Sequence, residues 1–152
     1  MRPYVHSAGS TVHFQWNLDV SVGRRGTNSL RSDVSYIQWY YVLAAIHPLT
    51  PPDRRAIYRA VEITGSCDGS ENDPLVASIF AQQRALSHPQ VDGKISVASG
   101  DGKVGSSAFF VLRLGARFAD MFPQQWPRLD QIPRCPDSVK AAMRAAVPNI
   151  SH

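Results

Sequence analysis

The sequence predicts a mainly α fold: a compact three-helix bundle with an N-terminal β-hairpin or strand extension and a C-terminal proline-rich tail plus short helix. Three observations carry that expectation. Two Asp-Gly pairs, Asp68-Gly69 and Asp101-Gly102, each precede an apolar run at helical spacing, Leu75 to Gln83 and Ala108 to Leu112. Val34 to Ile46 is apolar on nearly its whole circumference, the mark of a helix buried on more than one side. From Val12 to Val22 apolar and polar residues alternate without a break, the period of a strand with one buried face.

Each element follows from local chemistry. Ser7-Ala8-Gly9-Ser10 reads as a turn, so Tyr4 to His6 can return as the other arm of a hairpin. A lone two-stranded ribbon is marginal in water, so the Phe14/Trp16/Leu18 face must lie on the helical core or on a second protein. Gly23 to Ser32 is a polar connector, and Ser32 or Asp33 can cap the helix that runs from Val34 to Ile46. His47-Pro48 stops that helix, and Pro51-Pro52-Asp53 opens a short one through Ile57, Ala60 and Val61. After a loop from Thr64 to Pro74, a helix runs from Leu75 to near Leu86. Ile95-Ser96-Val97, between two Asp-Gly pairs, reads as a hairpin or looped excursion. Ser106 or Ser107 can cap a helix towards Phe118. The tail from Phe122 to Pro136 is irregular but packed, with Trp126 as an anchor, and Ser138 to Ala146 closes the chain as a short helix.

A chain of 152 residues supports one ordinary core with decorated ends. The expected division is 1–22 as hairpin or strand extension, 23–114 as helical domain and 115–152 as packed tail. The net charge of +4 is scattered, so a solvated surface is favoured over a nucleic-acid partner. The N-terminal residues lack the continuous apolar stretch of a secretory signal, and no apolar run is long enough to span a bilayer. Synthesis in the cytoplasm is expected. Work in the periplasm or cell envelope would need a specialised secretion route, release by lysis or excision from a longer chain.

Reactive chemistry finds little support. Cys67 and Cys135 lack paired metal spacing, and each suits either one bridge or a small buried position. Glu62, Asp68, Glu71 and Asp73 form the only dense acidic group, but in a loop with ordinary turn chemistry. His6, His13, His47, His88 and His152 show no paired helical spacing. No catalytic residue, metal or cofactor is expected. Tyr36, Trp39 and Tyr40 suit a buried core better than a sugar-stacking platform, since they sit on a helix that is apolar all round.

The order and spacing of these motifs resemble the peptidoglycan-binding-like domain, a three-helix module found beside cell-wall hydrolases. Val34, Ile37-Gln38 and Tyr41 stand where that family has valine, leucine-glutamine and leucine. Asp68-Gly69, Leu75, Ser78-Ile79 and Gln82-Gln83 align without a gap to its Asp-Gly turn, threonine, alanine-valine and phenylalanine-glutamine. Asp101-Gly102, Gly105, Ala108 and Leu112 align to its last segment. The match covers roughly Val22 to Leu114, interrupted by an insertion from His47 to Gly65. Two threonine positions are apolar here, Leu75 and Ala108, and Gln82 replaces the aromatic before the family's glutamine.

The resemblance implies a non-catalytic module that binds peptidoglycan in a shallow groove lined by Gln38, Tyr41, Gln83 and Arg84, with the Asp-Gly pairs as structural turns. A protein-binding adaptor of a bacterial secretion system or phage-like particle is the alternative, using Phe14, Trp16 and Leu18 to meet a larger assembly or an enzyme. A cell-wall hydrolase is the third and weakest reading.

Overall fold

The computed structural model describes residues 1–8 and 10–147; Gly9, in the expected hairpin turn, and His152 lie outside the described residues. β1 (Arg2–Ala8) and β2 (Thr11–Asn17) pair antiparallel, with Val5 opposite Phe14 and His6 opposite His13. The apolar alternation continues to Val22 in sequence, yet the pairing ends at Asn17. The next backbone donors are taken by side chains: Asn17 Oδ1 accepts from Leu18 N at 2.9 Å, and Asp33 Oδ2 accepts from Asp19 N at 2.7 Å and Val20 N at 2.9 Å. The strand resumes only as β3 (Val22–Gly23), which pairs with β4 (Lys94–Ile95). Of Ile95-Ser96-Val97, only Ile95 lies in a strand, and it pairs with distant Val22, so the segment forms no hairpin with its sequence neighbours.

Helix α1 (Arg31–Ala44) starts earlier than expected, at an N-cap, Leu30, that makes no side-chain bond. Asp33 is not a cap because its buried carboxylate serves the 19–20 backbone and also bonds the Met1 amino group at 2.7 Å. The insertion contributes α2 (Pro52–Tyr58). Helix α3 (Pro74–Ala85) opens with proline in its first turn and Asp73 Oδ1 accepting from Leu75 N at 2.9 Å. The serines expected to cap the next helix instead lie beside or within a small hairpin of β5 (Lys103–Val104) and β6 (Ser107–Ala108), so α4 (Phe110–Met121) begins after them. A 3-10 turn (Leu129–Gln131) and α5 (Asp137–Ala146) complete the chain.

The result is a mainly α fold with small antiparallel strand pairs. Five α-helices form among the described residues; α2 packs on α3, α5 on α1, and α4 on β2. Phe118 of α4 sits among rings from α1, with centroids 5.5 Å from Tyr36, 5.0 Å from Trp39 and 5.3 Å from Tyr40. One apolar core runs from Trp16 and Leu18 through α1 and Phe118 to Leu129 and Val139, uniting hairpin, helical segment and tail.

Two indoles fasten that tail: Trp16 Nε1 donates to Pro127 O and Trp39 Nε1 to Pro133 O, both at 2.9 Å. Trp126 stacks on Phe118 at 5.9 Å, the anchor expected of it. The hairpin face expected to meet a partner is largely inside. Trp16 is 1% and Leu18 0% exposed, and Phe14 is half-buried with its ring against Trp16 at 5.5 Å. The large apolar residues that the hairpin does expose are Val5 and Val12.

Candidate functional site

Gln38 and Gln83 are the first pair to place, because the resemblance gives them ligand-binding roles. Gln38 Oε1 accepts from Thr64 N and Gly65 N, both at 2.9 Å, while its Nε2 donates to Ser66 O at 2.9 Å and Thr64 Oγ1 at 3.0 Å. Gln83 repeats the pattern one helix later. Its Oε1 accepts from Asp92 N at 3.1 Å and Gly93 N at 2.9 Å, and its Nε2 donates to Lys94 O at 3.0 Å and Asp92 Oδ1 at 3.3 Å. A primary amide has two donors and two acceptor sites, and here each amide uses all four on its own chain. Both are buried clamps on a turn whose central glycine, Gly65 or Gly93, lies at positive φ.

Tyr41 and Gln83 have no exposed surface, and Tyr41 packs against Tyr58 with ring centroids 4.8 Å apart. Arg84 lies on the surface with its guanidinium over the Phe80 ring, 5.3 Å from its centroid. The four residues thus do not converge on one open groove. The Asp-Gly pairs are turns as expected: Asp68 Oδ1 accepts from Ser70 N at 2.8 Å and Asp101 Oδ1 from Lys103 N at 3.1 Å, with Gly69 and Gly102 at positive φ. The Ser70 bonds hold the Asp68 carboxyl below its usual range.

The open polar site lies where α1, α2, α3 and α4 meet. Tyr40, Arg54, Tyr58, Gln82, Arg117 and Asp120 line a cleft of about 260 Å³, with Leu49, Thr50, Pro51 and Met121 completing its wall. That is just below the ~300–1,000 Å³ range of ligand pockets, so it suits a group of about residue size. Helix spacing explains the convergence: Arg54 and Tyr58 are four residues apart on α2, and Arg117 and Asp120 three apart on α4, so each pair shares a face. Half of this wall, Leu49, Thr50, Pro51, Arg54 and Tyr58, comes from the segment between α1 and the end of α2.

Gln82 is the unusual member. It is 3% exposed, its Nε2 donates to the Tyr40 hydroxyl at 2.8 Å, and its Oε1 has no hydrogen-bond partner. With Nε2 committed to Tyr40, the oxygen edge stays unpaired, a costly arrangement in a buried group. Burial pushes the Tyr40 phenol up to about 12, partly offset by the Gln82 bond and by Arg117 and Arg54. Tyr40 is therefore a neutral donor at physiological pH. Arg117 and Asp120 pair loosely at 3.8 Å, and Arg54 makes no ion pair among the described residues. The cleft thus presents two guanidiniums, a hydroxyl and an unpaired amide edge.

The groups considered for reactive chemistry lie elsewhere. Both cysteines are free, and burial pushes the Cys67 thiol up to about 11 and Cys135 up to about 12, away from nucleophilic use. Asp73 caps α3, and Glu71 pairs with Arg24 at 2.7 Å. His88 is bonded at both ring nitrogens, to Gln90 O at 3.2 Å and Ala108 O at 3.1 Å; His47 Nδ1 accepts from Leu49 N at 3.2 Å. Among the described residues no group of three His, Cys, Asp or Glu side chains is placed to hold a metal ion. Nor is any described helix long and apolar enough to cross a membrane.

Comparison with protein-family models, with curated proteins and with solved structures finds no match to this chain. Sequence reasoning missed Arg54, Gln82 and Arg117. One signal pointed to Gln82 alone: it places a polar side chain where the family that the sequence resembles has an aromatic, and a buried amide there needs partners.

Proposed function

We propose that this chain is a non-catalytic peptidoglycan-binding module, built on a variant of the peptidoglycan-binding-like helical fold, that brings itself or an associated enzyme to the bacterial cell wall. The observation that carries this reading is the cleft at the helix junction, where a buried amide edge lies unpaired beside Arg54 and Arg117. A polymer of sugars and short peptides offers the amides, hydroxyls and carboxylates that such a cleft can bond. The order of the glutamine-bearing helices and Asp-Gly turns supports the same assignment through its resemblance to that family. Asp120 is the only carboxylate lining the cleft, whereas glycoside hydrolysis ordinarily uses two facing acids, so binding is favoured over cleavage. The reading requires delivery to the periplasm or cell envelope.

Sedimentation with purified sacculi tests it. The native chain should pellet with the sacculi, and an R54A/R117A variant should stay in the supernatant. A native chain that stays in the supernatant contradicts the reading. A protein-binding adaptor is the second reading, and Val5 and Val12 favour it, being 61% and 66% exposed on the hairpin. It predicts capture of a protein from the native lysate that V5S/V12S abolishes.

A further inference from the structure

We infer that the cleft is a receptor for the carboxy-terminal residue of a peptide, with the free carboxylate on Arg54 and Arg117 and the adjoining amide N–H on the Gln82 amide oxygen. This deepens the proposed function and rests on it. Three features of the cleft select that chemistry together. Arg54 comes from α2 and Arg117 from α4, and both line the one cleft together with Tyr40 and Gln82, so two guanidiniums face a single small space. Guanidinium groups bond carboxylates in a planar, charge-assisted fashion, which makes paired arginines suited to a carboxylate end. Asp120 lowers the positive charge at Arg117, with which it pairs at 3.8 Å, and leaves Arg54 as the principal charge partner.

The second feature is the acceptor. Gln82 Oε1 is buried and unpaired, and its own Nε2 is committed to Tyr40, so this oxygen calls for an incoming N–H or O–H. In the last residue of a peptide the amide N–H and the carboxylate share one Cα atom, which places a donor and an anion within a few ångströms of each other. Inorganic phosphate could meet the arginines and, through a P–OH, the acceptor, but it brings no apolar side chain for the wall formed by Leu49 and Met121. A neutral sugar would satisfy the acceptor without needing two cations. The third feature is size and lining: about 260 Å³ with Leu49 and Met121 on the wall accepts one small apolar side chain.

Calorimetric titration with diacetyl-Lys-D-Ala-D-Ala, a mimic of the peptide stem, and with its C-terminal carboxamide tests the assignment. The acid should bind, and the carboxamide at least about tenfold more weakly, the loss expected for a charge-assisted bond. R54A and Q82L should each weaken the acid by about tenfold or more. R117A, at an exposed position, gives a parallel reading should either of those variants fail to fold. Equal binding of acid and carboxamide, no binding of the acid to the native chain, or competition by inorganic phosphate as strong as the acid would each overturn the inference. Pelleting on sacculi without tripeptide binding would sink this inference and leave the binding module intact. Tripeptide binding without pelleting would do the reverse.

Discussion

Gln38 and Gln83 carry two turns by the same four bonds, so their removal has a sharp expected cost. Replacing either with leucine keeps the volume but takes the acceptor from two backbone N–H groups. At about 1–3 kcal/mol per buried unsatisfied group, each variant should lose ~3 kcal/mol or more in urea unfolding. Glycine substitutions separate conformation from space. An alanine Cβ at Gly93 would stand 2.5 Å from Phe80 Cε2 at φ +72°, whereas at Gly100, φ +58°, it meets nothing within 4 Å. Gly100→Ala should cost about 1 kcal/mol for backbone strain alone, and Gly93→Ala clearly more, read from the same denaturation midpoints. The Asp-Gly turns were legible in sequence because their chemistry is local. The role of Gln38 and Gln83 was not, since whether an amide faces solvent or its own backbone depends on where the following loop returns.

The strand β2 shows how element boundaries escape a periodic pattern. Alternation from Val12 to Val22 reports which residues are apolar, but Asn17 and Asp33 decide where pairing stops by taking the backbone donors of 18 to 20. Asp33→Ala removes the acceptor of Asp19 N and Val20 N and should cost about 2–4 kcal/mol in chemical denaturation. Helix existence was readable: α1, α3, α4 and α5 overlap the segments that the sequence marked as helical, with ends shifted by one to a few residues. The fate of the Phe14/Trp16/Leu18 face was less so, because either a core or a partner can cover an apolar strand. Here the core and tail do so, with Trp16 bonded to Pro127. The cleft was the least legible element. It joins an insertion, a helix-borne polar residue and α4, which only the tertiary packing brings together.

Across the whole molecule, a buried aromatic belt links stability to pH. Desolvation holds the phenols of Tyr36, Tyr40, Tyr41 and Tyr58 above their usual value of 10.0. The unfolded chain therefore releases these protons first, binds fewer protons than the native state in alkali, and gains relative stability as pH rises. Native stability should be intact below about pH 10 and fall between about pH 10 and 12, with phenolate absorbance appearing together with loss of near-ultraviolet dichroism. Phenolate absorbance that develops fully before any loss of dichroism would contradict the burial of these rings. The same core encloses both ends of the described chain, since hairpin, helices and tail share one apolar cluster. The cleft is built from helices that contribute to that cluster.

Under the proposed function, that cleft is where cell-wall material would be held. Its most direct test is mapping of amide and side-chain NMR shifts during titration with soluble muropeptides. Changes concentrated at Tyr40, Arg54, Gln82 and Arg117 are predicted; a native spectrum that does not move, or changes gathered on the Val5/Val12 hairpin, would contradict it.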